Sequence, residues 1–109
     1  MLDTTQPLDI GHGHVVTFTR WAPDRELNPQ YADLPDVDPI GLMDDHNRPD
    51  GTPCVGGAVM FECEAARRAF PNRTTWTLVS LEPLTITPSL LCRTCGDHGF
   101  ITSGRWCPC

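Results

Sequence analysis

Near the end of the chain two cysteines stand two residues apart, Cys92 and Cys95. Gly96 and His98 follow, and a further pair, Cys107 and Cys109, brackets a proline. This spacing constrains the fold more than any other feature. Two intervening residues let both sulfurs face one ion, and a glycine after the second relieves crowding where backbone amides turn toward the thiolates. The pattern is that of a zinc knuckle, with His98 as third ligand. The segment from Gly99 to Trp106 reads as a hairpin with a Ser103-Gly104 turn, which would carry the chain out and bring Cys107 back as the fourth. Cys109, His12 and His14 are alternatives for that position. The competing interpretation makes these cysteines thiols packed in a small core and His98 a turn residue. A closed set of Cys/His ligands is structural, whereas a catalytic zinc keeps a position open for water. No general base stands out: Asp97 and Asp45 qualify by residue type alone.

A staple suits the composition. Phe, Ile, Leu and Val supply 24 of 109 residues, close to the level at which a chain cannot offset its ordering entropy. The length fits one domain. The formal charge of -6 is uneven: residues 1–58 hold ten acids and three arginines, residues 59–109 four acids and five arginines, and there is no lysine. Acidic surfaces repel phosphate backbones, so nucleic-acid binding through Arg67, Arg68, Arg93 and Arg105 is the disfavoured alternative. No stretch has the length of a membrane span and the first ten residues lack the basic and apolar regions of a signal peptide, which predicts a soluble, intracellular protein. In a reducing compartment six cysteines suggest metal binding or thiols rather than disulfides.

Along the chain, residues 1–11 read as a loose arm and 14–21 as a first strand. Residues 22–53 carry six prolines and seven aspartates; because proline cannot donate to a ladder, they read as a long acidic loop and the natural surface for a protein partner. Within it, His46 among Asp44, Asp45 and Asp50 reads as solvated charge. His12 and His14 read as exposed, and Cys54 and Cys63 as core packing. Gly57 to Phe61 suggests a buried strand, and Glu62 to Phe70 a short helix stopped by Pro71. Thr75 to Ser80 and Leu84 to Thr87 suggest two more strands, the second ended by Pro88. The expected fold is a small β-rich α+β single domain over residues 1–109: antiparallel strands, one short helix, the 22–53 loop, and a β/zinc-knuckle module over 75–109.

Residues 76–90 (WTLVSLEPLTITPSL), then Cys95-Gly96-Asp97-His98-Gly99-Phe100-Ile101 and Gly104-Arg105-Trp106, resemble a family of small proteins encoded by actinobacteriophages and some bacteria. The His14 to Phe18 strand matches more loosely, and Cys107-Pro108-Cys109 lies outside the pattern. That family has no established activity. The resemblance implies a phage-encoded origin and a Cys/His hairpin module and leaves function open. The contrast between an organised C-terminal half and an acidic, loop-like N-terminal half favours a non-enzymatic structural or interaction module, virion-associated or host-interacting, with a small metal-dependent hydrolase as a further alternative.

Overall fold

A computed structural model describes residues 2–54 and 56–109. Nine strands form one sheet among these residues: β1 (Leu8–Gly11), β2 (His14–Trp21), β3 (Val37–Asn47), β4 (Pro53–Cys54), β5 (Ala58–Phe61), β6 (Thr75–Leu81), β7 (Leu84–Leu91), β8 (His98–Thr102) and β9 (Arg105–Pro108). The order is β1-β2-β3-β5-β6-β7-β8-β9, with β4 beside β3. Only β5 and β6 run parallel. Their crossover contains the one α-helix among the described residues, α1 (Glu64–Ala69), capped by Cys63, whose sulfur accepts from the Ala66 amide. β1 comes back against β9, so the sheet is nearly closed around its core.

That core is built from the inward side chains of alternating strand positions: Ile10, Val16, Leu42, Val59, Phe61, Leu84, Ile86, Leu90, Ile101 and Trp106. Ile101 is wholly buried and pairs with Ile86 across the β7–β8 ladder. Ile101→Val should therefore cost about 1 kcal/mol in urea unfolding, the usual loss for one buried methylene. The β8–β9 hairpin turns at Ser103 and Gly104 as the sequence suggests, both with positive φ, the arrangement that matches the twist of adjoining strands.

Three expectations are corrected. The 1–11 arm contains β1, fixed by Ile10, which is wholly buried. The supposed 22–53 loop contains β3, an inner strand flanked by β2 and β5. Its Pro39 is tolerated because the β2–β3 register is irregular there, between the pairs Thr19–Gly41 and Trp21–Val37, so no ladder donor is demanded of it. Pro88 likewise does not end β7. It falls in the irregular interval between the Ile86–Ile101 and Leu90–Gly99 pairs. What remains irregular is mainly residues 22–36, with a short 3-10 turn at Pro29–Tyr31. Trp21 meets Tyr31 edge-on and, with Leu34, packs against Ile40 and Ala65. Leu27, in the same stretch, is exposed.

Candidate metal centre

At the end of the sheet where β3 finishes, β4 lies antiparallel to it with His46 directly opposite Cys54. A cross-strand pair brings side chains close on one face, so two ligand types arrive together from residues eight apart in sequence. Cys92 follows the last residue of β7, and the turn to β8 carries Cys95. This turn is drawn tight by the Gly96 amide donating to the Cys92 carbonyl at 2.7 Å and the Cys92 amide to the Asp97 carbonyl at 2.8 Å. Gly96 has φ +81°, a conformation other residues adopt only under strain.

The ligand atoms of His46, Cys54, Cys92 and Cys95 all lie within 4.8 Å of one another. Cys54 Sγ and Cys92 Sγ are 3.7 Å apart. Two sulfurs each 2.3 Å from a shared ion at the tetrahedral angle would stand about 3.8 Å apart. His46 Nε2 is 3.1 Å from Cys95 Sγ, against about 3.5 Å for nitrogen and sulfur on one tetrahedral zinc, so the ring must withdraw by a few tenths of an ångström to admit an ion.

The electrostatics prepare one thiolate. Burial, the largest single influence, pushes the Cys92 thiol up, but the backbone amides of Cys95 and Thr94 directed at its sulfur, joined by the Cys95 and Cys54 thiols, together outweigh it and bring it down to about 6. This is the arrangement expected of a knuckle turn. Burial pushes the Cys54 thiol the other way, to about 11, with the neighbouring Cys92 and Cys95 side chains adding to the rise. A cation between these sulfurs would offset that cost, since a coordinated thiol is deprotonated outright.

Cys92 and Cys95 thus meet at the site that the sequence suggests, while the partners differ. His98 sits at the start of β8 with its side chain exposed and Nε2 2.9 Å from Ser89 Oγ. Cys107 is exposed on β9, its thiol directed to the Arg105 carbonyl. The reason is strand alternation: β8 and β9 bury Gly99, Ile101 and Trp106, so His98 and Cys107, one position out of step, face the opposite side. Cys109 is exposed as well, and its amide donates to the His98 carbonyl.

Of the two further candidate ligands that spacing does not reveal, His46 comes from the segment read as solvated, and Cys54, read as core packing, stands just after it. His46 and Asp44 are buried, as is His14, whereas Asp45 and His12 are exposed. His14 stacks on Trp106 at 3.9 Å between ring centres and on His46 at 4.6 Å. Asp44 spans the two imidazoles: one oxygen lies 2.9 Å from His14 Nδ1 and the other 3.6 Å from His46 Nδ1. On the far edge of the stack, His14 Nε2 meets Asp97 of the knuckle turn at 2.7 Å. His14, Asp44 and His46 are also close enough together to suggest a second ion. Their geometry argues against one: nearly parallel stacked rings, 21° apart, direct their in-plane lone pairs side by side rather than toward a common point.

No family model, curated protein or solved structure matches this chain.

Proposed function

We propose that this protein is a small zinc-stapled β domain, a structural or protein-interaction module rather than an enzyme, in which His46, Cys54, Cys92 and Cys95 hold one zinc ion. The observation that carries the reading is the convergence of three sulfurs and one imidazole from segments far apart in sequence, two of the sulfurs already at the spacing of a tetrahedral thiolate site. Four protein ligands leave no position for a reacting water, which favours a structural ion over a hydrolytic one. An ion here ties the β3–β4 edge to the β7–β8 turn. Because the ligand set exists only in the folded chain, binding free energy becomes folding free energy.

The resemblance within residues 76–106 to phage-encoded proteins supports a phage origin, and with it we propose a host-interacting or virion-associated role. The irregular stretch 22–36, with Asp24, Asp33 and Leu27 exposed, is the surface we propose for a protein partner. Two of the arginines that a nucleic-acid reading would use are already engaged, Arg67 by Glu62 and Arg68 by Asp33. That weighs against phosphate contacts.

Metal analysis of the purified protein should find one zinc per chain, and chelation should lower the melting temperature by more than 10 °C. At this length a loss of 3 kcal/mol corresponds to about 12–20 °C. Protein that carries no metal, and melts identically with and without chelator, would refute the reading.

A further inference from the structure

We propose that Asp44 orients His46 for the ion and that His14 holds Asp44 in place, so that a buried carboxylate and a second imidazole position the metal ligand without touching the metal. The inference rests on the zinc reading above and goes beyond it by assigning residues outside the ligand set.

Among the described residues, His46 Nδ1 is the one buried side-chain nitrogen or oxygen that lacks a hydrogen-bond partner. An orphaned polar atom at this depth needs an explanation. Nε2 faces Cys95, so an ion bound there leaves the ring proton on Nδ1. That N–H then faces Asp44, 3.6 Å away, on the other ring nitrogen. Withdrawal of the ring from Cys95, which an ion of zinc's size requires, leaves it nearer the Asp44 side. One small displacement therefore opens the metal position and gives the orphaned nitrogen its acceptor. A carboxylate on the second nitrogen of a metal-bound histidine fixes the tautomer and raises ligand basicity.

Asp44 needs support of its own, because it is buried and serves two rings. His14 provides it at 2.9 and 3.1 Å from the two carboxylate oxygens. His14 is in turn fixed by Asp97 and by the face of Trp106. The chain of contacts runs from the ion through His46, Asp44 and His14 to Asp97, two residues beyond the ligand Cys95.

An asparagine at position 44 keeps the shape but offers one acceptor oxygen, so it can satisfy only one of two N–H groups and turns an amide toward the other. Cobalt titration of the whole chain against a competing chelator should show Asp44→Asn weakening the metal by roughly 10–100-fold. The tetrahedral thiolate–cobalt absorption of the saturated protein should be retained. Nitrogen-15 spectra of zinc-loaded wild type should place the proton of His46 on Nδ1 and the metal on Nε2, and saturated Asp44→Asn protein should show that proton shifted. Affinity within threefold of wild type, or metal on Nδ1, would overturn the proposal while leaving the zinc site standing. A wild type that takes up neither cobalt nor zinc would remove both. If Asp44→Asn does not fold, the wild-type nitrogen spectrum still decides.

Discussion

Cys54→Ser is expected to abolish tight zinc binding, whereas Cys107→Ser and His98→Gln should leave it at one ion per chain with unchanged affinity. Structural zinc sites in small peptides are worth about 10–16 kcal/mol over four ligands, so one lost thiolate is worth roughly 3 kcal/mol or more. In affinity that is over a hundredfold. A hydroxyl is a poor substitute: it is harder than a thiolate and remains protonated near neutral pH. The loss should act through the ion. In zinc, Cys54→Ser should melt well below wild type; in chelator, the two should converge to within about 1 kcal/mol, since serine for cysteine is otherwise a small change. The opposite pattern, zinc retained by Cys54→Ser and lost by Cys107→Ser, would restore the ligand set suggested by the knuckle and its hairpin.

The contrast between these substitutions shows which parts of the site the sequence discloses. Cys92 and Cys95 are legible because their proximity is local: a two-residue spacing and a glycine act within one turn, whatever the rest of the chain does. Cys54 and His46 approach them only through ladder pairing, the first across β3–β4 and the second at the end of β3. No local spacing encodes that. A signal was nevertheless present, since Leu42, Asp44 and His46 recur every second residue and all three are buried, as an inward strand face requires. Pro39 obscured it, because a proline in an inner strand is admissible only where the register breaks, and the break is a property of pairing with β2. His14 is a parallel case: two positions before the buried Val16, it shares that inward face. The short helix, the β8–β9 turn and the paired strands β6 and β7 were visible in composition and periodicity. The near-closure of the sheet was not, since it depends on β1 returning to β9 from the other end of the chain.

Gly56→Ala should be the most damaging single-methyl change near the site, and Gly57→Ala should be almost silent. A Cβ built on Gly56 falls 1.1 Å from the backbone oxygen of Asp44, so no side-chain rotation can relieve the overlap. One on Gly57 meets nothing within 4 Å, and its backbone lies outside the left-handed region. Relief at position 56 requires β3 and the segment leading into β5 to part. β3 carries Asp44 and His46, so separation disturbs a proposed ligand and the carboxylate between the imidazoles together. The Asp44 amide donates to the Gly57 carbonyl at 3.1 Å, a bond that the same separation would stretch. Overpacking of side chains costs about 1–3 kcal/mol, and a backbone overlap of this depth should reach or exceed the upper figure. Gly57→Ala should stay within about 0.5 kcal/mol of wild type in urea unfolding, or gain slightly from the stiffer unfolded chain. Zinc affinity should fall in the first variant and hold in the second. Equal stability and equal affinity in both would mean that the close crossing of Gly56 over Asp44 does not hold the site together.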